Sequence, residues 1–172
     1  MAMPVVVRPR RSCNSQAALL GAAAMVAAAP GAASAQSGFW NWESPHVHPI
    51  SLTPSGQTLL VVNTADNRLE MFDVSSGTPV PTASITVGLD PVSVRAVSDT
   101  EAWVVNRISD SMSVVDLAAR RVVRSIGTGD EPSDVVFANG RAFVSVAKLN
   151  QVRVWDLANP GNAPTIIAIQ GE

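Results

Sequence analysis

From residue 48 onward, apolar and polar residues alternate in short runs, and the alternating pattern itself recurs. The segments LLVVNTADNRLEMFDV (59–74), AWVVNRISDSMSVVDL (102–117) and AFVSVAKLNQVRVWDL (142–157) align without gaps. Asn63 matches Asn106 at an offset of 43, as Asp73 matches Asp116, and Asp116 matches Asp156 at an offset of 40. Upstream, Pro49, Pro91 and Pro132 recur at offsets of 42 and 41. Residues 48–172 number 125, which is three repeats of about 41 or 42. Self-similarity at this period marks a propeller or a solenoid. Within each repeat, β-branched residues alternate with polar ones, as in Val114-Val115-Asp116, and turn residues separate the runs. Four strands per repeat are expected; in the second they fall near 91–97, 101–106, 111–117 and 121–126. The connections carry turn chemistry: Pro54-Ser55-Gly56, Ser98-Asp99-Thr100 and Asn139-Gly140. An Asn-Gly pair tolerates the positive φ of a tight hairpin. An α-solenoid is excluded, since no stretch after residue 36 holds a helical period for three turns. Four antiparallel strands every 41 residues make one propeller blade. The expected fold is all-β: a β-propeller of about three four-stranded antiparallel blades in an incomplete ring, spanning approximately 48–90, 91–131 and 132–172.

The repeat resembles the YVTN family of bacterial β-propeller repeats, in which Tyr-Val-Thr-Asn opens the pattern. Trp103-Val104-Val105-Asn106 is the nearest match, Leu60-Val61-Val62-Asn63 is good, and the third repeat departs with Val146 in place of Asn. The family's Val-Gly-x-x-Pro junction has counterparts in Val87-Gly88-Leu89-Asp90-Pro91 and Thr128-Gly129-Asp130-Glu131-Pro132. The resemblance covers roughly residues 48–172. Trp155-Asp156 invites a WD-repeat reading, but no Gly-His pair precedes it, so that reading ranks second. The resemblance implies about seven blades, and it touches lactonase-type, quinoprotein-like and haem-binding propellers, some with a cytochrome c-like segment further along.

Three blades are fewer than the four to eight that close a ring, and they leave two broad edges. Sixteen residues beyond Asp116 lies Pro132; sixteen beyond Asp156 lies Glu172, the last residue, where the next Gly-x-x-Pro junction would form. The expectation is an N-terminal fragment of a longer propeller. The rival is a small protein that closes by oligomerising.

Upstream, Arg8, Arg10 and Arg11 precede a 13-residue apolar run, Ala17 to Ala29, then Pro30-Gly31 and Ala33-Ser34-Ala35. Basic start, short apolar core, helix breaker and small residues form a secretory signal peptide over 1–35, with cleavage expected before Gln36. A membrane anchor is the other reading, but 13 residues span only about 20 Å against a hydrocarbon core of about 30 Å. Arg10-Arg11 lacks the apolar residues of a twin-arginine signal. The chain would act in the periplasm or outside the cell, with no membrane span once the leader is removed.

Cys13, the only cysteine, leaves with the leader. The mature chain then has no disulfide, thiolate nucleophile, cysteine metal ligand or haem-attaching C-x-x-C-H run. Residues 36–172 hold nine Arg+Lys against 14 Asp+Glu, a net charge near −5. No basic surplus exists to neutralise phosphates, so nucleic acid is not an expected partner.

In an up-and-down blade, the loop between strands two and three shares a face with the loop joining neighbouring blades. That rim should gather Asn63 to Asn67, Asp90, Arg107 to Asp110, Asp130, Glu131 and Lys148, with His46 and His48 beside it. A ligand site from His46, His48, Asp90, Arg107, Asp130 and Glu131 is one reading. A His-x-His pair on a strand points both rings the same way, which metal binding can use. The other reading makes both histidines ordinary loop residues between Pro45 and Pro49, since zinc needs three or four ligands and the chain has no further His. No metal and no cofactor are expected.

Asn63, Asn106, Asp73, Asp116, Asp156, Pro91 and Pro132 read as structural repeat positions. An active site rarely repeats itself three times, and an Asp at a turn accepts backbone N–H bonds. Asp130-Glu131 has no partner acid, base or nucleophile at a motif spacing, so no general acid–base catalysis follows from it. The leading segment 36–47 carries Phe39, Trp40 and Trp42, either a binding platform or an aromatic cluster that packs. Trp103 and Trp155 should pack between blades.

Two function classes remain. One is a non-enzymatic binding or scaffold module for an unknown protein or small molecule, with self-association through its open edges. The other is part of a propeller enzyme or redox protein. For this chain, the sequence favours the first.

Overall fold

The computed structural model describes residues 45–170. The leader, the aromatic segment at Phe39 to Trp42 and the terminal Glu172 lie outside the described residues. The chain is a β-propeller segment of three four-stranded antiparallel sheets, each formed by consecutive strands. The first blade comprises β1 (Ile50–Leu52), β2 (Thr58–Asn63), β3 (Arg68–Asp73) and β4 (Val80–Thr86). The second comprises β5 (Pro91–Ala96), β6 (Glu101–Asn106), β7 (Ser111–Asp116) and β8 (Arg121–Gly127). The third comprises β9 (Pro132–Ala138), β10 (Arg141–Val146), β11 (Gln151–Asp156) and β12 (Thr165–Ala168). Pro91 and Pro132 each open an inner strand, a place where a missing N–H costs little.

Register follows from the tight turns. Asn139 (φ 48°) and Gly140 (φ 72°) make the β9–β10 turn with the two positive φ values that a two-residue hairpin needs. Arg141 then pairs with Ala138 across it. The third blade departs at its other turn: Ala147–Leu149 form a 3₁₀ turn where the first two blades have four-residue turns, 64–67 and 107–110.

Alternation sorts the second blade's side chains onto two faces. Val94, Ala102, Val104, Val115 and Leu117 meet Leu60, Val62, Leu69, Met71 and Ile85 of the first blade. Val92, Trp103, Val105, Met112, Val114 and Ile126 meet Val135, Ala142, Val144 and Trp155 of the third. Both tryptophans therefore sit in the seam between blades, and the Trp103 ring meets Phe137 edge-on with centroids 5.5 Å apart. Each fully buried side chain of this size contributes about 1.5–3 kcal/mol relative to exposure.

The seams are also tied at the rim. Asn67, Asp110 and Asn150 occupy equivalent turns with φ of 56°, 49° and 48°, the left-handed region that Asn and Asp tolerate. Their carbonyls accept the N–H groups of Val87, Thr128 and Ile169 at 3.0, 2.8 and 2.8 Å. Two of the side chains reach one blade further. Asn67 Oδ1 accepts the Asp90 N–H at 2.8 Å, and Asp110 Oδ1 accepts the Glu131 N–H at 3.0 Å.

Candidate functional site

One face collects the β2–β3, β6–β7 and β10–β11 turns with the two blade junctions. Arg107, on the β6–β7 turn, donates to Glu131 of the next junction at 3.0 Å. Lys148, on the 3₁₀ turn, lies 2.9 Å from Asp130. The Asp130 carboxylate holds the Lys148 ammonium above its ordinary range by hydrogen bond and charge. Arg107, Ile108, Asp110, Asp130 and Glu131 line an open pocket of about 270 Å³. These ion pairs are half-exposed and screened by solvent, so they add little to stability and remain available to exchange with a ligand.

Asp90 and Glu131 are repeat equivalents, both in left-handed conformation, with φ of 57° and 55°. Their carbonyls accept the N–H of Arg107 and Ala147 at 2.9 and 3.0 Å. Glu131 reaches Arg107, whereas the Asp90 side chain is buried.

The histidines take separate roles. Both precede β1, which starts at Ile50, so no common strand points the two rings together. Pro49 between His48 and the strand cannot donate to a ladder. The Thr64 hydroxyl donates to the Pro91 carbonyl at 2.7 Å, so His46 Nε2 must be the donor to Thr64 Oγ1. His48 serves through its main chain, which bridges in parallel to Ser93 of β5. Among the described residues, no three His, Cys, Asp or Glu side chains converge as metal ligands.

The recurrent aspartates close turns. Asp73, Asp116 and Asp156 accept the N–H groups of Ser75, Ala119 and Ala158 at 2.8, 2.8 and 2.9 Å. The Ser75 hydroxyl and N–H hold the Asp73 carboxyl below its ordinary range. None of the three is buried, so their loss costs less than that of a buried acceptor. Asn63 bonds Asp66 in its own loop, and Asn106 donates to Ser111 and Ser113 beneath the rim.

A polar cluster on the inner strands escaped the sequence reading. Ser93 and Arg95 of β5 both donate to the Asp134 carboxylate of β9, the arginine at 3.0 Å. Burial raises the Asp134 carboxyl, but the Arg95 and Ser93 hydrogen bonds and the Val135 N–H outweigh it and leave it below its ordinary range. The available signal was the repeat frame: Ser51, Ser93 and Asp134 each stand two residues past the recurrent proline.

No family model matches the chain, and no curated protein does. Solved structures do. Hydrazine synthase of Kuenenia stuttgartiensis is 24% identical with a TM-score of 0.61, over 71% of this chain and 37% of that one. AztD of Citrobacter koseri is 14% identical with a TM-score of 0.59, over 72% and 35%. Hsv2 of Kluyveromyces lactis is 14% identical with a TM-score of 0.52, over 71% and 38%. The chain thus spans well under half the length of these proteins. At such identities the likeness carries the fold, a β-propeller, and nothing finer.

Proposed function

We propose that this chain is an exported propeller module of the YVTN type that binds or scaffolds a ligand at its rim, in the periplasm or outside the cell. The observation that carries this reading is the rim itself. Turns and junctions of successive blades bring Arg107, Asp110, Asp130 and Glu131 around one open pocket, and Lys148 pairs with its Asp130. Mixed, half-exposed charges suit a polar partner, either a small molecule or a protein loop. The apolar edges left at each end favour more blades, in a longer parent or in a second copy.

The test is a ligand screen on the exported chain, followed by Arg107→Ala and Lys148→Ala. Binding that both substitutions weaken while the melting midpoint holds supports a rim site. Binding unchanged by either moves the site elsewhere. N-terminal sequencing of exported protein should begin at Gln36; an intact Met1 on periplasmic protein would refute cleavage of the leader, and absence of the chain from the periplasm and medium would refute export. A second reading, part of an enzyme or redox protein, draws on the likeness to hydrazine synthase, whose name denotes an enzyme. Turnover of a lactone or redox substrate by a longer parent would favour it.

A further inference from the structure

The three outer strands share one topology and differ in how their free edges are protected. In each sheet the fourth strand pairs on one side only, so a row of main-chain N–H and C=O groups faces outward. Such an edge invites another strand unless proline or charge blunts it. β4 carries Pro81, and β8 carries Arg121 and Arg124. β12 carries neither. It reads Thr165-Ile166-Ile167-Ala168, with Ile169 following, and all five residues are exposed.

The ladder fixes which groups face outward. The Ile169 N–H donates inward to the Asn150 carbonyl at 2.8 Å, and Ile167 opposes Val152 of β11. Main-chain groups alternate in direction along an antiparallel strand, so those of Thr165 and Ile167 also point to β11. The N–H and C=O of Ile166 and Ala168 therefore point away from the sheet. Among the described residues, no strand pairs with that edge.

This edge is complementary to itself. A second copy can approach antiparallel about a two-fold axis through Ile167, the commonest symmetry of homo-oligomers. Ile166 of one copy then opposes Ala168 of the other, and each such pair exchanges two N–H···O bonds. Every outward group of β12 is used. Ile167 meets its own counterpart and Thr165 meets Ile169, so the contact opposes no charged residues. Pro164, which has no N–H, ends the edge on one side.

We propose that the free edge of β12 is a homodimer interface, in which two copies of the chain join their third blades β12 to β12, antiparallel, with Ile167 on the axis. The contact is separate from the rim and from the open blade faces, and it leaves both uncovered.

The test is sedimentation equilibrium of the full chain carrying Cys13→Ser, so that added cysteines are the only thiols. Ala168→Pro removes an outward N–H and spares the β11 ladder, so it should weaken dimerisation by about tenfold or more with the strand-type circular dichroism spectrum unchanged. Should that variant lose its spectrum, Ile166→Lys supplies the kind of charge that β8 already carries and should weaken dimerisation likewise. Under mild oxidation, Ile167→Cys should yield a disulfide-linked dimer, because residues directly opposed in a non-hydrogen-bonded pair lie within disulfide reach. Ile166→Cys should not, since it opposes Ala168. A chain that stays monomeric would overturn the proposal. So would association that the folded edge variants leave unchanged, which is the result expected if blade faces stack head to tail. Cross-linking through Ile166→Cys but not Ile167→Cys would overturn the pairing register.

Discussion

The second and third blades are built on one repeat, yet they are buried very differently. β6 of the second blade is buried at five of six positions and β7 at five of six. In the third blade, β10 alternates buried residues with exposed or half-exposed ones, and all four residues of β12 are exposed. The difference does not lie in the composition of the strands. Trp103 and Phe143 are repeat equivalents, but Trp103 is 1% exposed against its neighbour, while Phe143 stays half-exposed where the next blade would pack. The same holds at the other end, where Leu52, the equivalent of fully buried Val94, is 54% exposed. A blade therefore buries both its faces only between two others, and flanking position sets how much each side chain contributes.

The largest expected effect exploits those open faces. Residues 36–172 alone should self-associate or bind hydrophobic dyes, because Leu52 at one end and Phe143 and Ile167 at the other are apolar and uncovered. Light scattering checks this: a monodisperse, dye-negative monomer would refute it, and a clean dimer would favour two copies closing one ring.

Substitution should reproduce the asymmetry. Trp103→Ala should cost about 3–5 kcal/mol by urea melt, while Phe143→Ala should cost under about 1.5 kcal/mol. Equal costs would mean that the third blade is already covered. Adding a fourth repeat should raise the Phe143→Ala cost toward the Trp103 value.

The tie between the second and third blades should weaken in acid. Asp134 is held below its usual carboxylate range, so its contribution is complete above the unfolded value near 3.8 and is lost as pH falls through the lower folded value. Asp134→Asn should flatten that part of the stability-versus-pH curve. An identical acid limb in the variant would remove Asp134 from the account. The smallest effect belongs to the turns: Asp116→Ala should cost about 0.5–1 kcal/mol, since its acceptor is half-exposed. An unchanged midpoint would show that water replaces the carboxylate at no cost.

The strand pattern of the second blade was readable almost to the residue, because period-two alternation and turn chemistry are local properties. The expected strands 91–97, 101–106, 111–117 and 121–126 differ from β5–β8 by at most one residue at an end. Rim membership was readable for a related reason: once the repeat frame is fixed, topology alone sends Arg107, Asp130, Glu131 and Lys148 to one face.

Partnership was another matter. That Arg107 takes Glu131 while the equivalent Asp90 is left buried and unpaired depends on side-chain length and on the angle between blades, which no spacing encodes. Nor did the sequence single out Asp134, which stands 39 residues from Arg95 and becomes its partner only when two inner strands meet. The chain's own pattern thus determined strands, turns, repeat and the face on which polar residues gather, all properties of short-range geometry. Packing of one blade on the next decided which of those residues are buried, paired or left open, because burial and ion pairing arise between segments that the chain brings together only by folding.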